Sequence, residues 1–297
     1  MIRSIALLTN PAAGRGRAMK AAEQAKTRFA ERGVAVRELV GASAAHSAEL
    51  AVAAVTEGVD GLVVVGGDGM IHLALPAVVG TATPLGVIPA GTGNDQAREY
   101  GWPRRSVAAA VDTVIDGAIR QVDVGVAETA DGKRTYFGSV LASGFDSLVS
   151  DRTNRMRWPH GRARYHAALF AEFVHLRPLP ARVTTAEGEV VDDDVLLVAV
   201  GNTKSYGGGM RICPGATPTD GLLDITIGLA APRRRALRQL PKVYRGTHVD
   251  SPHTRTLRTA RVRIEMPGIN AYADGELVGP VPVEVSVIPG GATIIAP

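Results

Sequence analysis

A single cysteine, Cys213, stands among 297 residues. That excludes an internal disulfide framework, and no Cys/His cluster has zinc-ligand spacing. Long apolar runs are missing as well. Ile5 to Leu8 is too short for a signal peptide and meets Asn10-Pro11 at once. Nothing approaches the ~20 continuous apolar residues of a membrane span. The expectation is a soluble, cytoplasmic chain that meets a membrane only from its surface. Aromatic residues are scarce, at 4%, and no basic stretch is interleaved with stacking residues, which argues against a nucleic-acid partner. Lysine is scarce too: apart from Lys20, Lys26, Lys133, Lys204 and Lys242, the 33 basic residues are all arginine. A genome rich in G and C accounts for that bias, so arginine abundance alone identifies no ligand. The net charge of +4 does suit an anionic substrate, a nucleotide or an anionic lipid surface.

What is present reads in two textures. Up to about residue 125, short β-rich runs alternate with helical stretches: Ile2 to Thr9, Arg17 to Glu31, Val34 to Leu39, a helix capped by Ser43, Gly61 to Val65, Met70 to Val79, Pro84 to Ile88 and Ser106 to Asp116. That order is the signature of a parallel α/β fold. From Arg120 short β-like runs dominate, among them Thr135 to Ala142, Ala181 to Thr185, Val195 to Val200, Leu223 to Gly228, Val281 to Ile288 and Ala292 to Ala296. Gly, Pro and Asp separate them, as in a sandwich or open antiparallel sheet. Helical inserts are expected over about Arg162 to Leu176 and Pro232 to Tyr244. The boundary falls near residues 118–125.

Three glycine-rich segments follow strands in the first region: Asn10-Pro11-Ala12-Ala13-Gly14-Arg15-Gly16, Gly66-Gly67-Asp68-Gly69 and Gly91-Thr92-Gly93-Asn94-Asp95. In a parallel sheet, loops at the carboxyl ends of strands line one crevice. Glycine lets backbone N–H groups approach an anion, and helix N-termini add positive potential. The natural tenant is a polyphosphate. Asp68 and Asp95 beside phosphates call for a cation, for which Mg²⁺ is the usual choice. There is no Gly-x-x-x-x-Gly-Lys-Ser/Thr, no Gly-x-Gly-x-x-Gly opening a helix and no Gly-x-Ser-x-Gly, which excludes P-loop, dinucleotide-binding and hydrolase-elbow readings. A fourth segment, Ala273-Asp274-Gly275-Glu276, reads from its residues as a hairpin turn. Its other reading is a general base.

Taken in order, Asn-Pro-x-x-Gly, Gly-Gly-Asp-Gly, Gly-Thr-Gly-Asn-Asp and Asp-Gly-Glu resemble the diacylglycerol kinase catalytic family, which includes soluble bacterial lipid kinases and the sphingosine and ceramide kinases. Gly144-Phe145-Asp146 and Asp220-Gly221-Leu222-Leu223-Asp224 match as well. The resemblance implies an α/β nucleotide domain like that of NAD kinase and phosphofructokinase over 1–122. A β-sandwich acceptor domain follows over 123–297, its last strand, about 283–297, expected to pack back on the first. The active site is implied in the cleft. It places ATP phosphates near Asn10, Gly14, Gly66, Gly67, Asp68, Gly69, Gly91, Thr92, Gly93 and Asn94, and the catalytic Mg²⁺ on Asp68 and Asp95. Asp274 takes the proton of a lipid hydroxyl, Glu276 supports metal or phosphate positioning, and Asp220 with the carbonyl of Leu222 holds a structural metal. Met70, His72, Leu73, Gln96 and Thr219 depart from the family's usual residues.

The expected activity is ATP- and Mg²⁺-dependent phosphorylation of a lipid alcohol, diacylglycerol first, by a cytoplasmic, peripherally membrane-associated enzyme. An exposed sheet edge in the second domain would make a homodimer plausible. Two alternatives stand beside it: an NAD kinase-like enzyme with a soluble acceptor, and a degenerate kinase acting as a regulator. Arg152, Arg155, Arg157, Arg162 and Arg164 around Trp158 divide evenly between a membrane-facing cluster and a solvated face. For Arg233 to Arg235 the solvated reading is favoured.

Overall fold

A computed structural model describes residues 2–10, 16–156, 158 and 162–297. The chain divides into two compact units. One comprises Met1–Val124, Pro218–Asp220 and Ile288–Pro297; the other comprises Gly125–Thr217 and Gly221–Val287.

The first unit begins β1 (Ser4–Thr9), α1 (Arg17–Glu31), β2 (Ala35–Val40), α2 (Ala44–Glu57), β3 (Gly61–Gly66), α3 (Asp68–Val78), β4 (Leu85–Pro89), α4 (Asp95–Glu99) and α5 (Val107–Asp116). The strands lie in the order β4-β3-β1-β2, all parallel. Leu62 to Val65 are wholly buried, as a strand covered on both faces requires. Ala18, Ala21, Ala22, Ala25 and Phe29 form the apolar stripe of α1, spaced at helical period. Ser43 and Ser106 cap α2 and α5 by accepting from the N–H groups of His46 and Ala109. Asp112 on α5 ties back to α1 through the guanidinium groups of Arg28 and Arg32. The end of the chain belongs here too: Ile294 pairs in parallel with Leu85, and the indole N–H of Trp102 donates to the carbonyl of Ile295.

The connecting strand β5 (Ala118–Thr129) leads to the second unit. There follow β6 (Arg134–Phe137), β7 (Val140–Gly144), α6 (Phe145–Arg155), α7 (Arg162–Val174), β8 (Leu179–Thr185), β9 (Val190–Gly201), β10 (Leu223–Leu229), α8 (Arg233–Arg245), a 3₁₀ turn (Thr247–Asp250), β11 (Thr254–Thr259), β12 (Arg261–Glu265), β13 (Asn270–Ala273), β14 (Glu276–Pro280) and β15 (Val283–Ala296). Pairing is antiparallel. The first half of β9 lies beside β8, and its second half is flanked by β7 and β10. Phe137, Leu141, Val198, Val200, Leu223 and Ile225 are among the buried side chains of this unit's core.

Helix α6 and strand β11 have no counterpart in the sequence expectation, and three expected runs differ in extent. β9 starts at Val190 rather than Val195, because Asp192 to Asp194 are exposed and Arg182 on β8 pairs with Asp192 across the strands. The runs Val281 to Ile288 and Ala292 to Ala296 belong to one strand that continues through Pro289-Gly290-Gly291. Thr135 to Ala142 is two strands, β6 and β7, broken at Gly138-Ser139.

Candidate active site

Because β1, β3 and β4 are parallel neighbours, the segments after them emerge at the same edge of the sheet. Asn10 follows β1 and is half-buried; Gly14 lies outside the described residues. Gly67 stands before α3, and its carbonyl accepts the N–H of Met70. Its loop touches the one after β4. A Cβ built on Gly91 would stand 2.5 Å from the Gly67 Cα and 2.7 Å from the Asn94 Oδ1. Only glycine permits that approach.

Asp68 joins the two loops by hydrogen bonds. Its Oδ2 accepts the N–H of Asp95 at 3.1 Å, and its Oδ1 accepts that of Gln96 at 3.0 Å. Asn94 has left-handed backbone (φ 53°). Its amide nitrogen donates to the Gly91 carbonyl at 2.9 Å, while its Oδ1 is buried without a hydrogen-bond partner in the protein. Asp95 is buried, and its carboxylate is engaged by Arg98 one turn later. Arg98 also donates to the Gly93 carbonyl. Thr92 and Gly69 are exposed. The Asn94 Oδ1, buried without a protein partner, and the Asp68 carboxylate are oxygen ligands of the kind a hydrated Mg²⁺ takes. Asp95, by contrast, presents its carboxylate to Arg98 and fits the role of direct ligand less well. Among the described residues, no three His, Cys, Asp or Glu side chains group as a metal cluster.

In the second unit the Asp-Gly pair is a hairpin turn between β13 and β14. Asp274 and Gly275 both have positive φ, 53° and 88°, the pattern of a type I′ turn. The same turn fixes a carboxylate. Oδ1 of Asp274 accepts the N–H of Ser139 and Oδ2 that of Gly138, each at 2.8 Å. The two readings of this segment are therefore compatible. Just upstream on the same strand, the Tyr272 hydroxyl donates to Asp151 of α6 at 2.6 Å, and Asn270 donates to both oxygens of that carboxylate. Burial first, and then the Asp151 carboxylate, push the Tyr272 phenol up to about 12. Glu276 is exposed at the start of β14. Asp146, in the first turn of α6, accepts from the Tyr206 hydroxyl at 2.5 Å, and burial raises its carboxyl above the usual range. Asp220 is exposed and Leu222 half-buried just before β10.

Sequence reasoning missed Arg98 and Asp151. The Asp95-x-x-Arg98 spacing is a usable signal, since residues three apart meet on a helix. Nothing in the side chains of Gly138-Ser139 marks the two donors that hold Asp274.

Residues 4–127 match the diacylglycerol kinase catalytic domain, and residues 139–296 match the YegS C-terminal NAD kinase beta sandwich-like domain. A protein from Mycobacterium tuberculosis (strain ATCC 25618 / H37Rv), named diacylglycerol kinase, is 47% identical over 296 residues, 100% of this chain and 96% of that relative. The chain belongs to the diacylglycerol kinase catalytic family. It is a lipid kinase, and as a kinase it takes ATP as phosphoryl donor. A diacylglycerol kinase from Bacillus subtilis (strain 168) is similar to this lipid kinase at 28% identity over 282 residues, 94% of this chain and 91% of the relative. The fold is that of a crystal structure of a diacylglycerol kinase from Bacillus anthracis str. Sterne, which aligns with a TM-score of 0.74 at 19% identity over 100% of this chain and 97% of the other. Among the described residues, no helix of this lipid kinase is long and apolar enough to cross a membrane.

Proposed function

We propose that the enzyme transfers the γ-phosphate of ATP to the free hydroxyl of diacylglycerol, giving phosphatidic acid and ADP. The similarity to a named diacylglycerol kinase along the whole chain carries the choice of acceptor. Two observations on the chain's own residues support the chemistry. The loops after β3 and β4 meet with an orphan acceptor and a carboxylate between them. The Asp274 carboxylate is fixed by two backbone N–H groups.

In this reading residues 1–122 hold the nucleotide and 123–297 the acceptor. Backbone N–H groups of Gly66, Gly67, Gly69, Gly91 and Gly93, with Asn10, Thr92 and Asn94, line the phosphates, and the N-terminus of α3 adds favourable potential. Asp68, with Asp95 behind it, would hold Mg²⁺. When bound, that ion supplies neutralisation of the charge on the β- and γ-phosphates. Asp274 accepts the proton of the lipid hydroxyl as its oxygen bonds to the γ-phosphorus and the bond to the β-phosphate oxygen breaks. Glu276 positions the phosphate or its metal, and Asp220 with Leu222 forms a structural cation site. An apolar cavity of about 110 Å³ in the second unit, lined by Phe145, Phe173, Leu196, Ile212 and Val243 among others, suits a stretch of acyl chain.

The test is transfer of radiolabelled γ-phosphate from ATP to a total lipid extract and to purified diacylglycerol in detergent micelles, with and without Mg²⁺. One labelled lipid that migrates as phosphatidic acid is expected. Label on a different lipid moves the acceptor assignment, and no labelled lipid, with label on NAD when NAD is offered in place of lipid, refutes the reading.

A further inference from the structure

Helix α8 carries six cations, Arg233, Arg234, Arg235, Arg238, Lys242 and Arg245, and no acid; none of its residues is buried. An exposed basic helix kept only for solubility commonly alternates charge, with acids three or four residues from the bases. Here like charges stand side by side. Among the described residues none of the six forms an ion pair. Arg233 donates to the carbonyl of Leu176, and Arg235 meets the imidazole of His253. The contrast is with Arg28, Arg32 and Arg152, each of which has a carboxylate partner.

At 100° per residue, Arg234, Arg238 and Arg245 fall on one outward face. Leu237 and Tyr244, seven residues apart, form a strip directly beside it, 53% and 55% exposed. Ala236, Gln239 and Val243 turn inward and line the apolar cavity. The lining of that cavity also includes Phe173 of α7, a helix that leaves Phe170 71% and Val174 44% exposed. A cationic face, an apolar strip and an apolar cavity are thus continuous within one unit. A polyanion alone would satisfy the arginines and leave Leu237 and Tyr244 in water. A bilayer with anionic headgroups satisfies both. The other basic cluster, around Trp158, is weaker ground: Arg152 is paired with Glu172, and Arg157 lies outside the described residues.

We propose that α8 is the membrane-docking element, lying flat on an anionic bilayer. Arg234, Arg238 and Arg245 contact headgroup phosphates, and Leu237 and Tyr244 enter the acyl boundary. The proposal rests on the reading of the acceptor as a membrane lipid, and it names the surface that brings the enzyme to it.

The test is cosedimentation of the full chain, without ATP, with vesicles of phosphatidylcholine alone or mixed with phosphatidylglycerol. Binding to the mixed vesicles alone, weakening as salt rises, is expected. Each cation near an anionic surface is worth about a fivefold change in partition, so R234Q/R238Q/R245Q should bind about a hundredfold less. The L237S/Y244S variant should bind about tenfold less, since partly buried side chains are lost from the acyl boundary. Both variants should melt as the parent does and transfer phosphate in detergent micelles at the parental rate. Equal binding to both vesicle types, or a triple variant that binds like the parent, overturns the proposal. So does a parental dimer in light scattering that the triple variant dissociates, which would make a second copy the occupant. Duplex oligonucleotide that displaces the parent from vesicles, with L237S/Y244S binding unchanged, would point to nucleic acid instead. Absence of transfer to diacylglycerol by a parent that still binds mixed vesicles refutes the acceptor reading and leaves the docking surface standing.

Discussion

A methyl group at residue 91 decides whether the loops after β3 and β4 can touch. In Gly91→Ala the new carbon would stand 2.5 Å from the Gly67 Cα and 2.9 Å from its nitrogen, and backbone cannot swing aside as a side-chain tip can. The loops must separate, at about 1–3 kcal/mol for a forced overpacking. The expected result is a lower melting temperature and ATP affinity reduced at least about tenfold by calorimetry, in proportion to that energy. Unchanged affinity would show that the loop contact is incidental. Asp274 asks for a different argument, because its carboxylate holds the turn against Gly138 and Ser139 and is also the proposed base. In Asp274→Asn, an amide NH₂ faces one of the two N–H donors of Gly138 and Ser139. That loses one hydrogen bond and opposes two donors, about 1–3 kcal/mol. The protein's total stability should be about 5–15 kcal/mol, so it stays folded. Transfer should nevertheless fall by about 10²–10⁴, the share of a positioned base, with ATP binding nearly intact. Parental turnover in that variant would remove Asp274 as the base, and a fall matching only the unfolded fraction would make it a structural residue.

Elements differ in how much of themselves the sequence shows. The wholly buried β3 is announced by Leu62-Val63-Val64-Val65, and the caps of α2 and α5 by Ser43 and Ser106. β9 hides behind Asp192 to Asp194 because an exposed stretch can be polar on both faces and still pair. β15 hides behind Pro289-Gly290-Gly291, residues that ordinarily end strands. The loops after β3 and β4 were legible as loops because glycine and aspartate mark them in residue type. The donors that hold Asp274 were not, since backbone N–H groups leave no trace in residue type. The 3₁₀ turn carries a buried group whose consequence is readable only in three dimensions. His248 shares its Nε2 hydrogen with the Ile212 carbonyl at 3.0 Å, while its Nδ1 is buried without a protein partner. Burial holds its pKa below the ordinary value. A second proton would have no acceptor. With the folded pKa lowered, His248 contributes stability that is complete above the unfolded value of about 6.5 and is lost as pH falls through it toward the folded value. The parent's melting temperature should therefore drop more steeply below pH 6.5 than that of His248→Gln, whose amide can still donate to Ile212. Parallel curves would show that His248 does not titrate with unfolding.

At the scale of the molecule, the first unit is not continuous in sequence. Its sheet is begun by the first residues and completed by the last: Ile288–Pro297 belong to it, together with Pro218–Asp220. The Asp123 N–H donates to the Pro218 carbonyl, and the Asp123 Oδ1 accepts from the Gly290 N–H, so the returning segments are tied to the end of the first one. Ala292, Ile294, Ile295 and Ala296 are all nearly or wholly buried. Two isoleucines at about 1.5–3 kcal/mol each are comparable with the whole stability of a domain of this size, about 5–15 kcal/mol. A fragment ending at Val124 therefore retains every proposed phosphate contact yet lacks part of its own core. Expressed alone, it should show no cooperative thermal transition and no ATP binding. The chain truncated after Val287 should fail in the same way, although it loses no proposed site residue. A cooperative melt with ATP binding by the 124-residue fragment would mean that the nucleotide unit is self-sufficient and that the returning strand serves something else. The expected failure would mean that binding at the first loops depends on residues at the far end of the chain. Any graft of this nucleotide unit would then have to carry both of its ends.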